Sequence, residues 1–359
     1  MAGQEKVAVA MSGGVDSSVA AWLLMQEGLD AAGVTLKLYD NEDVGICNER
    51  TCCSQRDVED AARVCDRMGI PHYVLNYRQA FIDQVIQRFI TAYCAGETPN
   101  PCIDCNKYIK FGKLCETAEH MGFRYMATGH YAVVEFDRAA NRYLLKKAAD
   151  GTKDQSYVLY GMTQRQLAIT KFPLGGLSKV QVREIAAEQG FVNAAKRDSQ
   201  DICFVPDGDY GKFIEHFTGR TFPEGDFTDD GGRVLGRHKG LIRYTIGQRK
   251  GLGLALPAPM YVKEKDVTHN RVILSEDAAL FTRAFDAKDV NLIACAQLDG
   301  AVRLKARIRY KHKEQWARVE MTGPDTAQVE FDEPQRAIAK GQAVVFYDGD
   351  VVFGGGTIA

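Results

Sequence analysis

No stretch of this sequence approaches the roughly eighteen consecutive apolar residues that a membrane-spanning helix needs. The N-terminus, MAGQEKVAVAM, lacks the basic start and cleavage site of a secretory leader. These two absences predict a cytoplasmic protein with no membrane partner. Strong net charge is missing as well: 45 Lys and Arg against 47 Asp and Glu leave −2. The whole molecule is therefore no electrostatic magnet for nucleic acid, and any polyanion must be held by local patches. Proline is scarce, at 10 of 359 residues, and no internal repeat or low-complexity tract stands out. With 45% hydrophobic and 26% charged residues, a disordered or fibrous chain is excluded.

What is present divides into parts. At this length two or three domains are expected. The first half alternates strand-like and helix-like runs: KVAVAM (6–11), a helix over 16–28, AAGVTLKLY (31–39), a helix over 55–69, HYVLN (72–76), helices over 79–94 and 107–122, and FRYMATGH (123–130). Such alternation predicts an α/β domain, a parallel sheet with helices on both faces, over residues 1–205. Ligands in such sheets bind beyond the carboxyl ends of the strands. That rule marks SGGVDSS after the first strand, Leu36 to Tyr39 after the second and TGH after the fourth. Residues 206–282 are rich in Gly and Asp with little helical period and read as a small central domain. Residues 283–359 are nearly all strand-like and read as a C-terminal all-β barrel.

Met11-Ser12-Gly13-Gly14-Val15-Asp16-Ser17-Ser18 lies between a strand and a helix. Its glycines let the backbone approach a ligand, and the helix start aims free N–H groups and a positive dipole end into the turn. Asp16 is placed to cap that helix or to hold Mg²⁺. The motif differs from a Walker A loop, which requires G-K-[ST]. It resembles the PP-loop of ATP pyrophosphatases, which implies cleavage of ATP between its α and β phosphates and adenylation of a carbonyl oxygen, followed by attack of a nucleophile.

Ten cysteines in a cytosolic chain are not expected to form a disulfide framework, which leaves burial, metal ligation or catalysis. Cys65, Cys94, Cys115 and Cys295 stand inside apolar periods and read as packing. TPNPCIDCNKYIKFG (98–112) sets Cys102 and Cys105 two residues apart, a spacing open to a redox pair, half a metal site, a nucleophile with a neighbour, or two inert thiols. Cys203, in SQDICFVP, sits in a loop-like stretch with Pro, Gly and polar neighbours. Cys47, Cys52 and Cys53 form another group, but adjacent cysteines ligate one metal only with strain.

SGGVDSSVAA, TPNPCIDCNKYIKFG, ATGHYA, KDQSYVLYG, SQDICFVP, YTIGQRKGLG and GQAVVFYDGDVVFGGGTI resemble, in order and over almost the full length, the tRNA 2-thiouridylases of the MnmA family. The resemblance implies adenylation of C2 of the wobble uridine of tRNA and replacement of its oxygen by sulfur. It implies a PP-loop domain, a small central domain and a C-terminal β-barrel, the last two contacting tRNA. Carried over by motif, Ala10, Met11, Ser12, Gly13, Gly14, Val15, Asp16 and Ser17 would bind ATP phosphates with Mg²⁺, and Leu36 and Gly129 would frame the adenine or ribose. Asn100, Pro101, His130, Lys153, Asp154, Gln155, Arg309, Tyr310 and Gln342 would meet tRNA. Cys105 matches the family's nucleophile. Cys203 matches the cysteine that takes a persulfide from a donor protein or cysteine desulfurase and later pairs with Cys105 in a disulfide.

The chain departs from the commonest family pattern at one position. Cys102 stands where relatives carry an aspartate, and Asp104 lies one residue before Cys105, in the wrong register to replace it. Two sulfur routes stay open: a persulfide on Cys203 exchanged through Cys105, or a [4Fe–4S] cluster on Cys102, Cys105 and Cys203 whose fourth iron holds hydrosulfide. Structural zinc is a third reading of the same thiols. The persulfide route needs a depressed Cys105 pKa, expected from a helix starting near Asn106 or Lys107.

VRLKARIRYKHK (302–313) alternates, with Arg303, Lys305, Arg307, Arg309 and Lys311 on one face and Val302, Leu304, Ala306, Ile308 and Tyr310 on the other. Five like charges on one face favour contact with tRNA phosphates over a plain solvated surface. RHKGLIRYTIGQRKG (237–251) is a second basic patch. The rival readings are another PP-loop synthetase or ligase that does not act on tRNA, and a non-enzymatic RNA-binding or iron–sulfur sensor protein.

Overall fold

A computed structural model of the chain describes residues 4–43, 45, 55–196, 202–205 and 207–359. Cys47, Cys52 and Cys53 lie outside the described residues.

The N-terminal part is built on five parallel strands: β1 (Lys6–Ala10), β2 (Asp30–Lys37), β3 (His72–Asn76), β4 (Tyr125–Thr128) and β7 (Thr170–Lys171), in the order β3-β2-β1-β4-β7. The inner strands are apolar on both faces, as Val7, Val9 and Ala8 show at 0–1% exposure, because helices cover both sides. The helices are α1 (Val15–Gln26), α2 (Gln55–Met68), α3 (residues 78–94), α4 (residues 101–120), α5 (Gln164–Ile169) and α6 (Lys179–Glu188). Strand order reverses at β1, which pairs with β2 on one side and β4 on the other. Sheets of this kind bind ligands at such a reversal point, here at the carboxyl ends of β1 and β4.

Helix α4 begins at Pro101, earlier than the sequence suggested. Asn100 caps it, its side-chain oxygen accepting from the Cys102 N–H at 3.1 Å, and Pro101 fills the first helical position, where no N–H is needed. Over Cys105–Lys113 the helix widens into a π turn before returning to α geometry. Such bulges re-aim side chains and recur at functional sites.

The central part contains a helix that its composition did not announce, α7 (Tyr210–Thr218), capped by Asp209 and ended by Gly219 in the left-handed region (φ +64°). It also holds a four-stranded sheet of β8 (Gly225–Thr228), β9 (Val234–His238), β10 (Tyr261–Asp266) and β11 (Arg271–Ser275). The C-terminal strands are β12 (Phe281–Leu292), β13 (Val302–Arg307), β14 (Gln315–Met321), β15 (Ala327–Arg336), β16 (Ala343–Asp348) and β17 (Val351–Ile358). They form an antiparallel barrel in the order β12-β15-β14-β13-β16-β17, closed by β12 against β17. Closure removes the exposed edges that an open sheet of this kind would present.

Sequence reading did not foresee the hairpin β5 (Val133–Asp137) and β6 (Arg142–Lys146). It leaves the N-terminal part after β4 and joins the barrel sheet through β6 and β17. Further ties hold the parts together: the Thr98 N–H donates to the Lys340 carbonyl, and Tyr157 Oη donates to the Ala343 carbonyl, both at 2.8 Å. No helix among the described residues is long and apolar enough to cross a membrane.

Candidate active site: a pyrophosphate loop and three thiols

The loop after β1 is held from several directions. Gly13 takes φ +68°, and a Cβ there would come within 2.4 Å of the Asp57 carbonyl oxygen, so glycine is required on both counts. The Ser12 N–H donates to Ser17 Oγ at 3.2 Å, and the hydroxyls of Ser17 and Ser18 donate to the Gly14 carbonyl at 3.1 Å. Met11 is buried, its N–H bonded to the Val34 carbonyl at 2.8 Å. Val15 and Ser17 are buried in the first turn of α1, and Ala10 ends β1. Gly129, just after β4, lies so close that a Cβ would meet the Ser17 nitrogen at 2.6 Å. The β1 and β4 carboxyl ends therefore share one site, with buried Leu36 at the end of neighbouring β2.

Asp16 neither caps α1 nor presents an open carboxylate. Lys179, the first residue of α6, donates to its two oxygens at 2.7 and 2.8 Å, and Tyr131 Oη donates to Oδ1 at 2.8 Å. With three of about four lone-pair positions engaged, Asp16 does not fit as a direct magnesium ligand in this arrangement. The Ser178 capping box starts α6 and so fixes where Lys179 stands.

His130 follows Gly129. Its Nδ1 lies 2.7 Å from Thr128 Oγ1, and its ring packs between Phe111 (5.9 Å) and Phe172 (6.1 Å). Burial, aided by the Lys110 charge, holds the imidazole well below its ordinary pKa, so it is neutral at pH 7.

The three thiols have different surroundings. Cys105 is buried, on the π-wound part of α4, and burial pushes its pKa up, opposed by Lys110 and assisted by Asp104. The depressed value expected from a helix start is therefore not found: the helix begins four residues earlier, and it is Cys102, exposed, that occupies the first turn. Asp104 is engaged by Arg88 at 3.5 Å, and burial raises its pKa. Cys203 is half-buried; its carbonyl accepts from Tyr39 Oη at 2.7 Å, and neighbouring Phe204 packs edge-on to Phe81 and Phe89. Among the described residues no disulfide is formed. No group of three or more His, Cys, Asp or Glu among them is placed to hold a metal ion. As they stand, Cys102, Cys105 and Cys203 do not make a three-thiolate cluster site. Cys65 and Cys115 are buried as packing residues, whereas Cys94 and Cys295 are half-buried.

The face expected to meet RNA is more structural than its sequence suggested. Asp154 is buried, accepting from Ser156 Oγ at 2.9 Å and from the Ala148 and Ser156 N–H groups. Arg307 turns inward onto it at 3.6 Å and covers the rings of Tyr157 and Tyr347. Arg303 pairs with Asp332 and lies over Trp316, which Lys305 also approaches. The like charges on β13 are thus relieved by acids and aromatic rings of this protein, which corrects the inference that they need a polyanion. Tyr310, expected on the apolar face, is exposed, and its hydroxyl donates to the Asp154 carbonyl at 3.0 Å. Arg309 and Lys311 are exposed and Lys153 half-exposed. The Gln155 side chain accepts from the Tyr131 N–H at 2.9 Å, and Gln342 donates to the Thr98 carbonyl at 2.8 Å, just before Asn100 and buried Pro101.

Sequence reasoning missed Tyr131, Lys179, Asn193 and Lys196, all bonded to the loop or its flanks. Their partners lie 115 to 183 residues away along the chain, so local pattern carried no signal beyond the helix cap before Lys179.

Comparison with known proteins bears on the whole chain. Residues 5–207 match the family model "tRNA methyl transferase HUP domain", residues 211–276 the "tRNA methyl transferase PRC-barrel domain", and residues 282–358 the "Aminomethyltransferase beta-barrel domain". A tRNA-specific 2-thiouridylase MnmA of Clostridioides difficile is 50% identical over 99% of this chain and 98% of its own length. The protein of that name from Moorella thermoacetica is 51% identical over 98% of both chains, and that from Acetivibrio thermocellus 47% identical over 99% of both. With half of its residues shared along its full length, the chain belongs to the family of tRNA-specific 2-thiouridylases called MnmA.

Proposed function

We propose that this protein is a tRNA-uridine 2-sulfurtransferase: it uses ATP, with magnesium held on the nucleotide phosphates, to replace O2 of the wobble uridine of tRNA by sulfur. The observation that carries the reading is the glycine-lined loop at the switch between β1 and β4, with His130 at the next strand end. The relatives are named for this activity over their full lengths.

In this account the loop from Ala10 to Ser17 receives the triphosphate, and Leu36 and Gly129 line the nucleoside. The flipped uridine meets His130, with Asn100, Pro101, Lys153, Asp154, Gln155, Arg309, Tyr310 and Gln342 on the tRNA side. Uridine O2 attacks the α phosphate and pyrophosphate leaves. A donor protein has placed a persulfide on Cys203, and its terminal sulfur attacks C2 as AMP departs with the oxygen. The Cys105 thiolate then attacks Cys203 Sγ; the bond to the transferred sulfur breaks, Cys105 and Cys203 become a disulfide, and an external thiol reduces it. The persulfide route is favoured over a cluster because no group of three His, Cys, Asp or Glu among the described residues is placed to hold a metal ion, whereas exchange needs only two thiols to meet. Neutral His130 and buried, protonated Cys105 describe a site that awaits its substrate before Cys105 ionises.

Release of pyrophosphate from ATP tests the reading. It should require tRNA bearing a wobble uridine. Equal release without RNA points to a PP-loop synthetase acting on another substrate.

A further inference from the structure

Lys196 lies beyond the end of α6, 183 residues from Gly13, yet its Nζ bonds the Gly13 carbonyl oxygen at 3.0 Å. The same ammonium bonds Asp57 Oδ1 at 2.5 Å and Asp60 Oδ2 at 2.8 Å, so all three of its protons are used. Both acids stand in the first two turns of α2, against which Gly13 is pressed without room for a Cβ. Asn193, three residues earlier and 2% exposed, donates from Nδ2 to the Gly13 carbonyl at 3.1 Å and to Ser18 Oγ at 2.9 Å. One short segment thus grips the loop at its left-handed glycine and at the start of α1.

We infer that Lys196 is a positioning residue for the triphosphate: it offsets one of the two negative charges of Asp57 and Asp60 beside the loop and, with Asn193, holds Gly13 in the conformation that accepts phosphates. The inference rests on the reading of this loop as an ATP site. Without the ammonium, two carboxylates with side chains only 9% and 13% exposed would face an incoming polyanion, and charges this poorly solvated repel strongly. The cost falls on the phosphates rather than on the nucleoside, since Gly13 belongs to the phosphate side of the site. That selectivity separates charge compensation from general support of the fold.

Equilibrium binding of α,β-methylene-ATP and of adenosine to the full chain by calorimetry tests this. Lys196→Gln should weaken the triphosphate analogue about tenfold or more, in a salt-dependent way, and adenosine less than about twofold. Lys196→Arg should bind both nearly as the parent does. Adding Asp57→Asn and Asp60→Asn to Lys196→Gln should restore most of the lost triphosphate affinity. That triple variant removes both carboxylate charges together with the ammonium, so it carries the test if Lys196→Gln alone fails to fold. Equal weakening of both ligands, or no rescue in the triple variant, overturns the inference. Failure of the parent protein to bind the analogue at all overturns the ATP reading, and the inference with it.

Discussion

Arg307, the last residue of β13, reaches across to Asp154 with 3.6 Å between nitrogen and oxygen, and the two side chains are only 16% and 6% exposed. Asp154 belongs to the N-terminal half and Arg307 to the barrel, so this pair joins the two parts beside the face proposed for tRNA. Stacking of the guanidinium over Tyr157 and Tyr347 shields the pair further.

Arg307→Ala should therefore act on stability. It leaves Asp154 buried without its cation, which costs about 2–4 kcal/mol once partial exposure is allowed for. Thermal melting should show a clear drop, while the salt dependence of tRNA binding by the folded variant stays that of the parent. A flattened salt slope with an unchanged melting temperature contradicts this assignment.

Arg309 and Lys311, exposed just beyond the strand, are the better candidates for phosphate contact. Replacing both by Ala should weaken tRNA binding and lower the slope of log K against log salt by about 1 to 2. Filter binding over a range of salt checks it; an unchanged slope returns these residues to plain solvated surface.

Alkylation should separate the thiols. Cys102 is exposed and Cys203 half-buried, whereas Cys105 is buried with its pKa raised. Of these three, iodoacetamide at pH 7.5, followed by peptide mass analysis, should modify Cys102 first and Cys105 last, because the thiolate is the reacting form. Cys105 reacting first would show that the thiol is activated before substrate arrives.

Stability should fall on mild acidification. Burial holds His130, His72 and His238 below the ordinary imidazole value. These side chains are neutral in the folded chain but take up protons near pH 6.5 when unfolded. Their contribution is thus complete above about pH 6.5 and is lost as the pH falls through the folded values. Melting temperatures should begin to drop below about pH 6.5, less steeply in His130→Gln. A midpoint constant down to pH 5 contradicts the burial argument.

The sequence made the layered order of the molecule readable because each segment carries its own period. Alternating strands and helices gave the parallel sheet, HYVLN was found at its observed bounds, and glycines and strand ends pointed to the loop after β1. What escaped it depended on distance along the chain. Nothing near Lys179 or Lys196 announces that each bonds a residue of the loop more than 160 positions away. The hairpin β5–β6 shows strand-like residues, but not that it would add to a barrel formed some 200 residues later. The alternation of β13 was visible, whereas the acids and rings that receive its arginines lie on other elements. At Cys105 the error was local: Asn100-Pro101 is a helix start, and reading it as one would have put Cys105 beyond the first turn.

The central claim is that sulfur replaces O2 of a tRNA uridine by way of Cys203 and Cys105. The direct measurement is nucleoside mass analysis of tRNA incubated with the protein, ATP and a ³⁵S-persulfide donor, for the parent chain and for Cys105→Ser and Cys203→Ser. The account predicts labelled 2-thiouridine at the wobble position with the parent chain and none with either variant, while both variants still bind ATP. Label at another position, a methylated rather than thiolated base, or full thiolation by Cys203→Ser would contradict it.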